Sequence, residues 1–353
     1  MSSDFVYREL ELVIDAENLI NGAFKVVKQL RQNWLFDRMK FQIFTGGLTN
    51  KLIGIHHNGD QSDTILVRVY GVNTERIIDH KNEIRILQFL NTSGLGSKIY
   101  ASFNNGLAYQ YLFGRILDEQ SCYDAMIYPL VAAKMAHIHL QMTKYKTNSA
   151  VDEHKSVLWD KINSFIALSS DTCEEGKSGQ LNKQRNFPSK AKLKQEFEWL
   201  KTHLDKFKSP LVLCHNDLLL GNILYDEKSN VVHFIDFEYA GPNYQAYDIA
   251  NHFNEISGEN LWARYPNEGF RRDWLEAYLK VFDNCQYLDE TKLKRMLNEI
   301  EHFRLASHFF CGAWGIYQAA NSKLDFDFIS YSNSRLQEYY RVKSTLLPSN
   351  SLE

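Results

Sequence analysis

The spacing of apolar positions divides the chain into two parts. Apolar residues recur at helical intervals from Leu10 to Leu35, which predicts a helix. Between Phe41 and Leu112 the pattern is mainly that of β-strands, with one helical stretch from Asp79 to Leu90. From Tyr123 onward helical spacing predominates. These patterns predict an α+β protein with a small sheet lobe at residues 1–112 and a larger, mainly helical lobe at residues 113–353.

The first lobe is typical of antiparallel strands joined by tight turns. The run from Phe41 to His56 predicts a strand, a glycine turn and a second strand, and Thr64–Gly71 predicts another strand that ends at glycine. Asn104-Asn105-Gly106 is a strong turn signal, and it lies between predicted strands at Ile99–Phe103 and Leu107–Leu112.

The second lobe is predicted to be mostly helical, with two short strands near its middle. Residues 168–192 are poor in apolar side chains and predict a surface loop. The predicted strands are Leu211–Cys214 and Val231–Ile235. The predicted helices are Ile127–Lys144, Ala191–Phe207, Asp273–Phe282, Asp289–Phe310 and Ser330–Val342.

Composition excludes several classes of protein. The 353 residues include 40 Lys+Arg and 43 Asp+Glu, so the net charge of −3 argues against binding to nucleic acid or anionic membranes through bulk charge. No apolar run reaches the ~18 residues of a membrane span, and the N-terminal residues do not have the pattern of a signal peptide. Five widely spaced cysteines without a C-x-x-C pattern favour free thiols in a reducing compartment, so we expect a cytoplasmic protein.

The segment from Leu213 to Leu224 carries the strongest chemical signal. It contains Asp217 and, five residues later, Asn222, and the next strand ends at Asp236. Phosphoryl transfer from ATP requires a carboxylate near the acceptor hydroxyl and oxygen ligands for Mg²⁺. Asp217 would orient the hydroxyl and take its proton, whereas Asn222 and Asp236 would bind the metal. The alternative is that Asp217 and Asn222 are ordinary turn residues, but the Asp at the following strand end disfavours it.

Two further features suit a phosphate site but are less specific. Gly46 and Gly47 would let the backbone approach phosphate groups closely, although tight hairpins use such pairs routinely. Arg68 interrupts an apolar strand, so its side chain either faces solvent or is paired inside a cleft.

These segments resemble the choline/ethanolamine kinase family of the protein-kinase-like superfamily. The resemblance extends from about residue 20 to residue 340 and is most specific at 235–255. The H-x-D-x-x-x-x-N pattern alone would also admit aminoglycoside phosphotransferases. The matching stretches are F-T-G-G-L-T-N-K-L (44–52), L-V-R-V-Y-G (66–71), C-H-N-D-L-L-L-G-N-I-L (214–224), I-D-F-E-Y-A-G-P-N-Y-Q-A-Y-D-I-A-N-H-F-N-E (235–255) and L-A-S-H-F-F-C-G-A-W-G-I-Y-Q-A (305–319).

The resemblance implies a bilobal protein-kinase-like fold with ATP and Mg²⁺ as cofactors. It places Arg68 on the nucleotide phosphates and pairs it with Glu83, and it makes Asp248 a brace for the catalytic loop. The hinge that binds adenine would include Gln110 and Leu112. The loop over the ATP phosphates would consist of Gly46, Gly47, Thr49 and Asn50.

The resemblance also implies an acceptor pocket for an amino alcohol. Aromatic rings there would attract a cationic headgroup, and Glu255 would supply a counter-charge. The matching aromatic residues are Tyr239, Trp314, Phe326 and Tyr331. The alternative for Phe326 and Tyr331 is packing within the core of the helical lobe. In the family, choline kinases and many ethanolamine kinases have Trp at the position that matches Cys311. This chain therefore lacks one wall of the aromatic box, which weakens the choline alternative and leaves a site that depends more on polar contacts.

We therefore expect an enzyme that phosphorylates ethanolamine to phosphoethanolamine, the first step towards phosphatidylethanolamine. A choline kinase or a dual choline/ethanolamine kinase is the alternative within the same class. A catalytically inactive, nucleotide-binding pseudokinase is the alternative from another class. The expected partners are the small-molecule substrate and, by resemblance, a second copy of the chain in a homodimer.

Overall fold

The computed structural model describes residues 7–44, 50–148, 155–169, 188–258, 263–322 and 324–347. The chain forms two compact units. The first contains residues 1–114 together with 233–238, and the second contains residues 115–232 and 239–353. The sequence pattern places a boundary near residue 112, but it does not indicate that a later segment returns to the first unit.

The described residues of the first unit form a six-stranded sheet and two α-helices. In chain order its elements are β1 (Arg8–Leu10), α1 (Leu19–Leu30), β2 (Met39–Phe44), β3 (Lys51–His57), β4 (Asp60–Val69), α2 (His80–Thr92), β5 (Ile99–Phe103) and β6 (Gly106–Gln110). The strand order is β1-β5-β6-β4-β3-β2, so β4 is an interior strand. Only the β1–β5 pair is parallel among the strands of this sheet that the structure describes.

Helix α1 and the sheet share one apolar core. The helix buries Ala23, Val26 and Val27 because these residues recur at helical spacing on a single face. Alternate residues of β3 and β4 point to the same core, since successive strand side chains face opposite sides of a sheet. These strand residues are Ile53, Ile55, Ile65 and Val67.

The second unit is mainly helical. Its elements are β7 (Arg115–Ile116), α3 (Tyr128–His139), α4 (Met142–Asn148), α5 (Val157–Leu168), α6 (Lys190–Asp205), β8 (Leu211–Cys214), β9 (Ile223–Asp226), β11 (Gly241–Tyr244), α7 (Gln245–Ile256), α8 (Glu268–Phe282), α9 (Glu290–Asn321) and α10 (Phe328–Leu346). Strand β10 (Val231–Phe234) begins in this unit and ends in the segment assigned to the first. Antiparallel pairing joins β11 to β8 and β7 to β9.

Helix α9 is the longest element among the residues that the structure describes, and α5, α7 and α10 pack against it. None of the helices in the described ranges combines the length and apolar character that a membrane span requires.

The structure corrects several predicted elements. The stretch Leu10–Leu35 is helical only from Leu19 to Leu30, and Leu10 ends strand β1. The predicted helix Ile127–Lys144 is two helices, because the N–H of Gln141 donates to the carbonyl of Ile138 and tightens the last turn of α3. The short strands β7, β9 and β11 were not predicted. Most of the predicted loop at 168–192 lies outside the described residues.

Candidate active site

Arg68 lies on the interior strand β4 and is almost fully buried, with 6% of its surface exposed. The alternative that the Arg68 side chain faces solvent is therefore wrong. Its guanidinium donates to the carboxylate of Glu83 on α2 and, at 2.9 Å, to Oδ1 of Asp236. Burial would raise the pKa of Glu83, but the charge of Arg68 and the hydrogen bonds from His80 and Arg68 together hold that pKa below its usual value. The structure thus contains the Arg68–Glu83 pair that the sequence predicted, and it adds Asp236.

A second carboxyl group, that of Glu238, belongs to the same cluster. Asn50 Nδ2 donates to Glu238 Oε2 at 3.0 Å, and Asn50 Oδ1 accepts from the N–H of Gly71 at 3.3 Å. Burial, and then the charge of Asp236, raise the pKa of Glu238 to about 8. The two carboxyl groups disfavour each other's ionisation, and a divalent cation bound beside them would stabilise their charged forms.

Asp236 holds an unusual backbone conformation. Its φ is 63°, in the left-handed region that non-glycine residues rarely adopt. Such backbone strain is concentrated at functional sites, where the surrounding structure maintains it. Asp236 lies two residues after the end of β10, and this conformation determines where its carboxylate lies.

The remaining predicted nucleotide residues are only partly described. Gly46, Gly47 and Thr49 lie outside the described residues. Gln110 ends β6, and its N–H already donates to the carbonyl of Lys98 at 2.8 Å. Leu112 lies two residues beyond that strand.

In the second unit, the loop after β8 carries Asp217, and one face of α7 holds this loop in place. Asp248, Asn251 and His252 are spaced i, i+3, i+4 and therefore share that face. The Asn251 amide donates to the carbonyl of Asn216 at 3.5 Å, and His252 Nδ1 lies 3.1 Å from the carbonyl of Leu218. The loop backbone on both sides of Asp217 is thus held by a single helix.

Asp248 makes the strongest of these contacts. Its two carboxylate oxygens accept from the backbone N–H groups of His215 at 3.0 Å and Asn216 at 2.7 Å. These contacts confirm the predicted bracing role. Asn216 has a φ of 68°, which Asn tolerates better than most residues, and this turn is followed directly by Asp217.

Asp217 and Asn222 are linked within the loop. Asn222 Nδ2 donates to the carbonyl of Asp217 at 2.8 Å, so the Asn222 amide has a fixed orientation and offers its oxygen for other contacts. The N–H of Asp217 lies 3.3 Å from Nδ1 of His215, a buried residue. These bonds involve the backbone N–H and carbonyl of Asp217, as the turn-residue alternative predicts.

The predicted aromatic residues of the acceptor pocket lie together in the second unit. Trp314 Nε1 donates to the hydroxyl of Tyr239 at 3.1 Å, and the Trp314 ring lies edge-on to Tyr331 with centroids 5.7 Å apart. Phe326 lies 5.9 Å from Tyr331 and is 40% exposed, so it is not a core residue. The ammonium group of Lys161 lies 5.4 Å from the centre of the Tyr239 ring.

Glu255, the predicted counter-charge, is already paired. Its Oε1 accepts from Arg335 Nη2 at 2.7 Å, and the Arg335 guanidinium lies 5.2 Å from the centre of the Tyr331 ring. Cys311 is hydrogen-bonded to Tyr331, and burial raises the pKa of its thiol to about 12, so the thiol is neutral at physiological pH.

Sequence reasoning missed Glu238, Arg335 and the Asn251–His252 pair. The spacing of Asp248, Asn251 and His252 on one helical face was a usable signal, because polar residues on a mainly apolar helix need partners. Arg335 gave no such signal, since its partner Glu255 lies eighty residues earlier in the chain.

Comparisons with known proteins cover most of the chain. The family model described as choline/ethanolamine kinase matches residues 41–340. Ethanolamine kinase 2 of Rattus norvegicus is 37% identical over 334 residues, which cover 94% of this chain and 83% of that protein. Ethanolamine kinase 1 of Homo sapiens is 36% identical over 335 residues, which cover 91% of this chain and 71% of that protein.

A solved structure is also similar. The ethanolamine kinase of Plasmodium vivax superimposes with a TM-score of 0.76 at 27% identity, covering 93% of this chain and 89% of that one. This likeness confirms the predicted α+β, protein-kinase-like fold class.

Proposed function

The chain belongs to the choline/ethanolamine kinase family, and we propose that it transfers the γ-phosphoryl group of ATP to the hydroxyl of ethanolamine. The observation that carries the substrate is the identity of 37% with an ethanolamine kinase over 94% of the chain. The product would be phosphoethanolamine, formed by direct in-line transfer without a phosphoenzyme.

In this proposal Asp217 accepts a hydrogen bond from the ethanolamine hydroxyl and takes its proton as the bond to phosphorus forms. The loop backbone that carries Asp217 is held by α7, so the carboxylate is positioned before substrate binds. Arg68, fixed by Glu83, would neutralise charge on the nucleotide phosphates. The glycine loop, with Gly46, Gly47, Thr49 and Asn50, would cover them, and Gln110 and Leu112 would lie at the adenine.

The donor set suits Mg²⁺, which prefers carboxylate and amide oxygens. Asp236 and Glu238 would hold it in the first unit, and the raised pKa of Glu238 is the electrostatic reason that a cation would bind there. We retain Asn222 of the second unit as a further ligand. When bound, Mg²⁺ would draw charge from the phosphate oxygens and orient them.

The ammonium group of ethanolamine would lie against Tyr239, Trp314 and Tyr331, with Phe326 at the exposed edge and Glu255 as acceptor. A primary ammonium offers N–H donors, so a carboxylate serves it better than rings alone. The aromatic cluster also favours the second candidate, choline, because a quaternary ammonium binds to ring faces.

The test is a panel of amino alcohols with Mg-ATP, measuring ADP formation by the purified protein. We expect kcat/KM to be highest for ethanolamine. A preference for choline would overturn the substrate assignment, and ATP binding without turnover of any acceptor would indicate a pseudokinase.

A matched pair of variants tests the role of Asp217. Asp217→Asn should lower kcat by about 10²–10⁴-fold because the proton acceptor is lost, whereas Asp205→Asn, at an exposed helix end, should not. Asp236→Ala should also abolish turnover while circular dichroism shows a folded protein. Near-normal turnover of the Asp217 or the Asp236 variant would remove that residue's role.

A homodimer and a cytoplasmic location remain predictions. Light scattering after size-exclusion chromatography of the purified chain measures the first, and microscopy of the tagged chain in cells measures the second.

A further inference from the structure

His139, on the last turn of α3, is buried with 1% of its surface exposed. Its Nε2 lies 3.0 Å from Oδ2 of Asp248, and its Nδ1 lies 2.6 Å from the hydroxyl of Tyr278 on α8. The Tyr278 hydroxyl in turn accepts from Nε2 of Gln245 at 2.8 Å. A chain of side-chain hydrogen bonds therefore joins α8, α3 and α7.

The chemistry of these groups determines which atom donates and which accepts in each hydrogen bond of this series. A carboxylate can only accept, so His139 Nε2 carries the hydrogen that it shares with Asp248. The other nitrogen of a neutral imidazole is then an acceptor and takes the Tyr278 hydroxyl hydrogen. The Tyr278 oxygen, having donated, is free to accept from Gln245. Every member of the chain is satisfied, which is the condition under which a buried polar network is rigid.

This series of hydrogen bonds ends on the loop that carries Asp217. Asp248 uses its oxygens for the backbone N–H groups of His215 and Asn216, and the residue after these is Asp217. Burial would raise the pKa of Asp248, but the hydrogen bonds from His139 and from the backbone N–H of His215 oppose this effect, and the pKa lies below its usual value. The carboxylate that holds the loop is thus kept ionised and oriented by His139.

A metal centre is the competing interpretation of the same residues. One ligand atom from each of His139, Cys214 and Asp248 lies within 4.8 Å of the others. However, both nitrogens of His139 already have partners, and burial raises the pKa of the Cys214 thiol well above its usual value. A neutral thiol and an occupied imidazole are poor metal ligands, so the geometry favours hydrogen bonding.

We infer that His139 and Tyr278 are positioning residues for phosphoryl transfer, acting through Asp248 on the backbone of the loop that holds Asp217. This inference rests on the proposed role of Asp217. It assigns an effect on the rate of the chemical step to side chains on α3 and α8 that do not contact the substrate. Removing them should misplace Asp217 without weakening the binding of ATP or ethanolamine.

Three variants of graded severity test this inference. His139→Leu removes both hydrogen bonds, His139→Gln keeps an N–H donor for Asp248, and Tyr278→Phe removes only the hydroxyl. Tyr339→Phe is the matched control, because Tyr339 is also fully buried and donates to Glu196 on α6 at 2.8 Å, a residue outside the chain described above.

We expect His139→Leu to lower kcat by about 10–100-fold, the scale of a small misplacement of a catalytic group, with both KM values within about twofold of the wild-type values. His139→Gln should recover most of this loss, and Tyr278→Phe should lie between the two. Tyr339→Phe should keep the wild-type kcat, although its Tm should fall by about as much as that of Tyr278→Phe. Hydrogen exchange at the amides of His215 and Asn216 should be faster in the His139 and Tyr278 variants only.

Unchanged kcat and unchanged amide exchange in folded Tyr278→Phe would overturn the inference even if His139→Leu does not fold. An equal loss of kcat in Tyr339→Phe would show that the loss comes from general destabilisation and not from the position of Asp217. Stoichiometric zinc in the purified protein would favour the metal centre instead. If Asp217→Asn keeps its activity, the role of Asp217 in the proposed function is wrong, and this inference fails with it. If Asp217→Asn is inactive while the His139 variants are fully active, only this inference fails.

Discussion

The Glu255 carboxylate accepts a hydrogen bond from Arg335 at 2.7 Å, and the two side chains are only 11% and 4% exposed. Burial would lower the pKa of Arg335, but the charge of Glu255, together with Tyr331, Cys311 and the hydrogen bond to Glu255, holds the pKa well above its usual value. Each charge is therefore stable in its buried position because the other is present. A substrate ammonium would meet a carboxylate whose charge is already balanced, so we expect it to bind through one oxygen and the aromatic rings.

Breaking this pair from one side should be costly. Arg335→Leu should lower the free energy of unfolding by about 3–5 kcal/mol, because it leaves an uncompensated buried carboxylate. The double variant Arg335→Leu/Glu255→Leu should lose much less than the sum of the two single variants. Chemical denaturation of the four proteins measures the coupling. Lys155→Leu, which breaks the exposed pair with Asp160, is the control and should stay within about 1 kcal/mol. Additive losses would show that the two charges do not depend on each other.

A second prediction concerns Cys311, the position at which the resemblance implies a Trp in choline kinases and in many ethanolamine kinases. Cys311→Trp would add a ring beside Tyr331 and should raise kcat/KM for choline relative to ethanolamine by about 2- to 30-fold, the range of one cation–π contact. Both substrates are measured on each protein, so a general loss of activity cancels in the ratio. Cys285→Trp, at a half-buried thiol after α8, is the control and should leave the ratio unchanged. An unchanged ratio in folded Cys311→Trp would mean that the missing wall does not select the substrate.

The sequence predicts those parts of the molecule that depend on local patterns. The hairpin at residues 99–112 was predictable because Asn104-Asn105-Gly106 favours a turn, and β5 and β6 lie on either side of it. The predicted helix Asp79–Leu90 also corresponds well to α2, since Asp79 caps the helix by accepting from the N–H of Asn82.

Features that depend on distant residues were not predictable in this way. Strand β11 contains Gly241 and Pro242, which disfavour a strand, and it forms because β8 supplies a partner. The sequence left open whether Arg68 faces solvent, and only the structure shows that it is paired with Glu83 and Asp236. Glu238 became a candidate site residue only because the structure places it beside Asn50 and Asp236. The resemblance supplied the Arg68–Glu83 pair, which spacing alone left open.

A third prediction concerns pH and the contact between His203 and His302, whose ring nitrogens lie 3.0 Å apart. Burial, followed by the charges of His302, Lys206 and Lys343, lowers the pKa of His203 from 6.5 to about 4. The unfolded state therefore binds more protons than the folded state between these two pH values. It follows that the free energy of unfolding falls as the pH drops from about 6.5 towards 4, by about 2–3 kcal/mol for this group.

Chemical denaturation at pH 7 and pH 4.5 measures this effect. His203→Gln should show a smaller loss of stability on acidification than the wild type, because the side chain no longer titrates. His137→Gln is the control, since His137 is exposed on α3, and it should behave as the wild type. A wild-type loss that is unaffected by His203→Gln would assign the acid sensitivity to other groups.

The last prediction concerns Gly106, which follows the β5–β6 turn and pairs with Val69 at the end of β4. A Cβ at this position would lie 2.1 Å from the carbonyl oxygen of Arg68 and 2.4 Å from the Phe103 ring. Backbone cannot yield as a flexible side chain does, so Gly106→Ala should shift β4 and lower the free energy of unfolding by about 1–3 kcal/mol.

Because β4 carries Arg68, Gly106→Ala should also raise KM for ATP more than KM for ethanolamine. Steady-state kinetics with each substrate varied in turn measures the two effects. Gly269→Ala is the control, since the added Cβ there comes no closer than 3.3 Å to the Asn267 side chain at the exposed start of α8. If Gly106→Ala is as stable as the wild type, then β4 and β6 can separate without loss, and the backbone around Arg68 is less constrained than this packing indicates.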